Sequence, residues 1–259
     1  AALHFDEPEW VNSQDIQKGD LVVFPVEKQG SHSFDKDFCR LVGYYAAEGC
    51  IMYNGRKSEN SMKGIQLTFN SNEVDFIEDI RNICKIHYNK NLTVKLEGNT
   101  AILRLFSVEA ARDMSSLVPG LAKEKQFDSQ VMDLDNNSIK SVLCGLFRGD
   151  GGVYEKRATY NTSSEQLAHQ VFRLSVRLGL LPSFGKNNNN IEDKIYKRYP
   201  FSFHKDSFVL FKSIYEDREL EGKTNRIKNN FAYLTVDSVT EQEYGDKIYN
   251  FEVEDDNSY

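Results

Sequence analysis

Two stretches of the chain carry a helical hydrophobic period and end alike. In the first, Phe38, Leu41, Val42 and Tyr45 recur at i, i+3, i+4 and i+7, one face of an α-helix. Beside that face Cys39, Gly43 and Ala46 or Ala47 form a narrow stripe of small residues, which lets two helix backbones approach closely. In the second, Ile139, Val142, Leu143, Leu146 and Phe147 make the apolar face, and Gly145 and Gly149 supply the small residues. The runs read LVGYYAAEG from Leu41 and LCGLFRGDG from Leu143. Each closes on an acid and a glycine, and the acids Glu48 and Asp150 stand 102 residues apart. Asp35 or Ser33 is placed to cap the first helix and Gly49 to end it.

The pattern after each run switches to alternation. IMY and GIQLTFN read as two strands, and GVY and ATYNT read as their counterparts. Thr68-Phe69-Asn70 matches Thr159-Tyr160-Asn161 at an offset of 91, which makes the first hairpin loop 11 residues longer. A helical period follows each pair, then a second strand pair and a short helix. The second pair turns at Gly98-Asn99 in one half. In the other half it runs from Ser183 to Phe203, with Asn187–Asn190 as a flexible, phosphate-contacting loop. Each half is therefore αββαββα, a pseudo-twofold duplicated α+β fold. The expected divisions are a β-rich flank over 1–33, repeats over 34–134 and 135–229, and a β-rich flank over 230–259.

Hydrophobic residues make up 40% of the 259 and charged residues 27%, as in a globular protein. No apolar run approaches the roughly 18 residues of a membrane span. The acidic start lacks the order of a signal peptide. The four cysteines form no CxxC, so reduced thiols and an intracellular protein are expected. The lack of an apolar span predicts no membrane, and the two repeats in one chain, a pseudo-dimer, predict a monomer. The net charge of −7 is unevenly spread. Residues 1–50 hold 9 acids against 4 bases, and residues 230–259 hold 8 against 1, leaving a net +5 between them. A basic middle permits nucleic-acid binding that the total charge argues against.

One carboxylate from each half, at the base of two packed helices, suits divalent metal chemistry on a phosphodiester. Mg²⁺ is typically bound by one or two carboxylates plus phosphate oxygens, and such ions stabilise both attacking and leaving oxygens. HExxH, P-loop and GxSxG patterns, which would point elsewhere, do not occur.

The duplicated motif with its matching ββαββα segments, over residues 36–217, resembles the LAGLIDADG homing endonucleases, and in particular their intein-type members. The flanks, with Trp10-Val11, Asp15-Ile16 and Gly19-Asp20 at one end, resemble intein splicing-domain segments. The resemblance implies metal-dependent cutting of both strands of a long, asymmetric duplex DNA site. The cofactor would be Mg²⁺ or Mn²⁺, with Ca²⁺ as a non-cleaving substitute. Glu48 and Asp150 would hold metal, with the carbonyls of Ala47 and Gly149 as second candidates. The sequence departs from the family's name at the sixth position, where Ala46 and Arg148 replace an acid, and Glu48 replaces Asp. The resemblance assigns a catalytic lysine to Lys125, with Lys123 adjacent, and less directly to Lys228, with Lys223 as rival.

Base readout is expected from strands, which enter a major groove. In the first half the candidates are Asn54, Arg56, Lys57, Gln66, Thr68, Asn70, Lys95 and Arg104. In the second they are Lys156, Arg157, Tyr160, Lys186, Lys194, Lys197 and Arg198. Two other readings compete. Protein splicing needs a nucleophile at Ala1 and Asn at Tyr259, so the chain is not expected to splice as it stands. A non-catalytic maturase would bind nucleic acid without using the acids.

Overall fold

The computed structural model describes residues 8–191, 194–222, 224–241, 243 and 245. Lys223, Lys247 and most of the 230–259 flank lie outside the described residues, as does the side chain of Lys194. After β1 (Leu21–Pro25) the first repeat runs α1 (Lys36–Glu48), β2 (Gly49–Tyr53), β3 (Met62–Asn70), α2 (Val74–Tyr88), β4 (Thr93–Glu97), β5 (Thr100–Leu105) and α3 (Val108–Leu117). A short α4 (Ser129–Met132) leads to the second repeat. That repeat runs α5 (Asn136–Asp150), β6 (Gly151–Val153), β7 (Arg157–Thr162), α6 (Glu165–Arg177), β8 (Ser183–Phe184), β9 (Asn187–Ile191), β10 (Lys194–His204) and α7 (Asp206–Tyr215). Strands β11 (Ile227–Lys228) and β12 (Phe231–Thr235) follow. The fold is α+β as expected; the first repeat keeps the αββαββα order, and the second adds the strand β9 before β10.

The two long helices start alike. The Asp35 carboxylate accepts the backbone N–H groups of Asp37 and Phe38, and Asp135 accepts that of Ser138. The helices cross at their glycines. A Cβ on Gly43 would stand 2.0 Å from the Val142 carbonyl oxygen, and one on Gly145 would stand 2.0 Å from that of Arg40. No residue but glycine fits either position without moving a backbone.

The first sheet has the antiparallel order β2-β3-β5-β4 and the second β6-β7-β10-β8, with β9 paired to the far part of β10. Alternation sorts each strand. Ile65, Leu67, Phe69, Ala101, Leu103 and Leu105 are buried, while Gln66, Thr68, Ile102 and Arg104 lie on the open face. In the second sheet Ala158, Tyr160, Phe201 and Phe203 are buried. Phe147 of α5 stacks on Phe211 at 4.4 Å and meets Tyr160 and Phe203 at 5.6 Å each, joining helix, sheet and α7 in one core.

Three expectations are corrected. Asn187–Asn190 is not a loop: it forms β9, paired in register with β10 from Asn187↔Arg198 to Ile191↔Lys194. Tyr160 does not face outward for a base; it is fully buried, because Ala158, Tyr160 and Thr162 share the core side of β7. The offset of 91 between hairpins is also wrong. Gly49 pairs with Leu67 and Gly151 with Tyr160, so β3 and β7 correspond at an offset of 93 and the loops differ by 9. The Thr-aromatic-Asn likeness is a two-residue slip that preserves the alternation.

The chain divides into two compact units, Ala1–Phe24 with Tyr233–Tyr259, and Pro25–Ala232. In the first, Gly19 N–H donates to the Val236 carbonyl and Val236 N–H to that of Asp20. In the second, Val26 N–H donates to the Asn230 carbonyl at 2.8 Å, and residues 25–232 hold both repeats. No helix among the described residues is long and apolar enough to cross a membrane. All four cysteines are free, and only Cys50 is exposed.

Candidate active site and nucleic-acid interface

The close crossing of α1 and α5 brings their last turns together. A Cβ on Gly149 would lie 2.4 Å from that of Ala47. Gly49 N–H caps α1 at the Tyr45 carbonyl, Gly151 N–H caps α5 at that of Phe147, and each chain passes straight into a strand. Glu48 and Asp150 thus sit at two helix-to-strand junctions and line one cleft of about 600 Å³. Both helices point their negative C-terminal ends at it, which favours a cation there.

Burial pushes the Glu48 carboxyl up to about 7, nearby Asp150 and Glu73 add to the rise, and Lys125 opposes it. Burial pushes Asp150 up to about 6, again opposed by Lys125. Lys125 is itself buried, and burial pulls its pKa below the ordinary lysine value while Asp150 and Glu48 hold it up. Its Nζ donates to the carbonyls of Tyr45 at 3.0 Å and Ala46 at 2.9 Å and sits 5.3 Å from the Tyr45 ring. Its backbone belongs to the other repeat's surroundings. Ser164 Oγ donates to the Lys125 carbonyl, and Gln170 pairs with both backbone groups of Phe127 at 2.7 Å. One lysine therefore bridges the halves at the acids.

Ala47 also lines the cleft, and Gly149 supports it from α5. Among the described residues no cluster of three or more His, Cys, Asp or Glu could hold a metal by itself. Two carboxylates raised by burial, Glu48 by Asp150 as well, at the C-terminal ends of two helices fit a hard divalent ion that completes its shell with other oxygens. Lys123 is exposed, whereas Lys125 reaches the acids. Lys228 is not brought to them: it lies exposed in the two-residue β11, opposite Phe231, and does not line the cleft.

The predicted readout residues scatter. Thr68 and Arg198 line the cleft. Gln66 and Arg104 lie on the first open face and Arg157 on the second. Asn54, Arg56, Lys57 and Lys156 are exposed at hairpin ends. Asn70 turns its Oδ1 back to the Asn72 N–H, closing the turn before α2. Lys95 ion-pairs with Glu97. Lys186 pairs with Glu165 at 3.2 Å on the helix side of the second sheet. Lys197 lies on that side too, sharing a parity with buried Tyr199 and Phe201 and acting on Glu165.

Sequence reasoning missed Asn161 and Ser163, both of which line the cleft, with Asn161 equivalent to Thr68. Alternation outward from buried Ala158 and Tyr160 was the signal. It also missed why Arg148 replaces an acid. Arg148 Nε donates to the Tyr215 carbonyl at 2.8 Å, its Nη1 reaches Tyr44 Oη at 3.1 Å and Asp79 at 3.4 Å, and it covers the Phe76 ring. The side chain ties α5 to α1 and α2 away from the acids.

Residues 137–229 match the LAGLIDADG-like domain. The fold is that of the homing endonuclease I-DmoI. One structure of its mesophilic variants aligns with a TM-score of 0.56 and 12% identity over 72% of this chain and 98% of that one. A structure of I-DmoI in complex with DNA and Mn aligns at 0.54 and 12%, over 70% and 96%. Among curated relatives, an uncharacterized protein of Methanocaldococcus jannaschii is 26% identical over 97% of this chain and 35% of its own length. An iron-sulfur cluster assembly SufBD family protein of Mycobacterium bovis is 25% identical over 99% and 30%. The ATP-dependent DNA helicase Hel308 of Thermococcus kodakarensis is 29% identical over 85% and 20%. The chain thus spans about a third or less of these relatives.

Proposed function

We propose that this chain is a site-specific endonuclease that cuts both strands of a long, asymmetric DNA duplex. The observation that carries the reading is the pair Glu48 and Asp150, one acid from each repeat, half-buried and raised together at the ends of two helices that cross at Gly43 and Gly145. Glu48, Asp150 and the Ala47 carbonyl would hold Mg²⁺ or Mn²⁺, which supplies charge stabilisation and an acidified water when bound. I-DmoI, whose fold this chain shares, is known in complexes with DNA that contain Mn or Ca. The chain's own part is positional. The acids fix two oxygen donors on either side of a twofold, the open sheet faces take the duplex, and Lys125 holds positive charge at the reacting end. Glu48→Gln or Asp150→Asn should abolish double-strand cleavage of a library-selected duplex in Mg²⁺ while leaving binding in Ca²⁺ largely intact. Cutting at wild-type rate by either variant refutes the assignment.

The intein setting is supported by a separate observation. One segment recurs in relatives with unrelated names, at 20–35% of the length of the three described above. Described residues before Pro25 and after Ala232 also group in one compact unit, outside the one that holds the two repeats. This supports reading the chain as an endonuclease carried within a splicing domain, which would act as a monomer inside the cell.

A further inference from the structure

One arginine on the open face of the first sheet is held differently from the other exposed cations. Arg104 of β5 stands opposite Gln66 of β3, and its Nε donates to Gln66 Oε1 at 2.8 Å. Both side chains are half-buried, so the guanidinium is oriented before any ligand arrives. The bond uses Nε alone, and among the described residues the two terminal Nη groups carry no hydrogen bond. Glu97, the acid on the same sheet face, ion-pairs with Lys95 and acts on Arg104 only through charge, with no hydrogen bond between them.

The chemistry of an oriented guanidinium is selective. Guanine presents two acceptors, O6 and N7, on its major-groove edge, and a guanidinium fork matches both. Adenine places an N6 amino donor where O6 would be, which opposes an arginine. We infer that Arg104, positioned by Gln66, reads one guanine in the half of the duplex bound by the first repeat. This rests on the proposed DNA-cleaving function.

The second sheet lacks the device. Because Gly49 faces Leu67 and Gly151 faces Tyr160, the row Cys50–Gln66–Arg104–Thr93 corresponds to Gly152–Thr159–Ser202–Ser183. That row has only short side chains and no charge. The strong guanine preference therefore belongs to one half-site and has no symmetric partner.

The test selects bound duplexes from a randomised library in Ca²⁺ with the full chain, then titrates the four single-base variants at each selected position. Wild type should prefer guanine at one position of one half-site by about tenfold to a hundredfold. Arg104→Ala should lose that preference and leave the other positions unchanged. Arg104→Lys, which keeps the charge, should retain overall affinity and salt dependence but lose most of the discrimination. Gln66→Ala should weaken it in part. If Arg104→Ala weakens all four bases equally, the residue is a phosphate contact and the inference is wrong. The same holds if Arg104→Lys keeps the full preference. Specific wild-type binding with no guanine dependent on Arg104 overturns the inference and leaves the function standing. Wild-type binding with no sequence preference overturns the function, and the inference with it.

Discussion

In the metal-free protein, replacing Glu48 with Gln should raise stability, and the gain should grow with pH. Carrying Glu48 from its ordinary 4.5 to about 7 corresponds to about 3 kcal/mol against the ionised form in the native state. Solvent at the cleft mouth screens part of this, leaving about 2 kcal/mol. The sign follows from proton counting. Between 4.5 and about 7 the folded carboxyl holds a proton that the unfolded one has released, so stability falls as pH rises through that window. Asp150 adds the same trend between 3.8 and about 6. Glutamine keeps the shape without the charge. Its advantage should be about 0.8 kcal/mol near pH 5 and about 2 kcal/mol near pH 8. Urea unfolding of both proteins in EDTA at the two pH values measures it. A variant less stable than wild type at pH 8, or an equal difference at both pH values, refutes the account of the cleft as an electrostatically strained cation site. Saturating Mg²⁺ should remove the advantage by binding the native acid.

Gly145→Ala forces a Cβ to within 2.0 Å of the Arg40 carbonyl and should lower the unfolding free energy by about 1–3 kcal/mol, read from the denaturation midpoint. Lys125→Met removes the cation that holds both acids down. NMR titration of the metal-free protein should show Glu48 and Asp150 ionising at higher pH, and cleavage should slow more than binding weakens. Unmoved titrations would mean that Lys125 does not act on the acids.

The helices and their acids were legible because their signals are local: a 3.6-residue period, glycines at the crossing and an acid before the last one. Lys125 was legible only through family resemblance, since a buried lysine is intelligible only beside the carbonyls of Tyr45 and Ala46 and two carboxylates. What failed was pairing. The likeness of Thr68-Phe69-Asn70 to Thr159-Tyr160-Asn161 competes with a register fixed by Gly49 and Gly151, and sequence alone weights the likeness. Tyr160 looked like a base-reading residue until β7 was given a core side. Arg148 looked like a damaged motif because its partners, Asp79 and Tyr215, come from distant helices.

The hydrogen bond from Val26 to Asn230 has a consequence for inheritance. It places the two ends of the 25–232 unit side by side, so the unit needs one gap of a few ångströms in whatever chain carries it. Loop-closure entropy rises only slowly with the length inserted, so a gap that small can take two hundred residues at modest loss to its carrier. A gene segment encoding such a unit can be lost, or land elsewhere, as a single cassette without redesign of either neighbour.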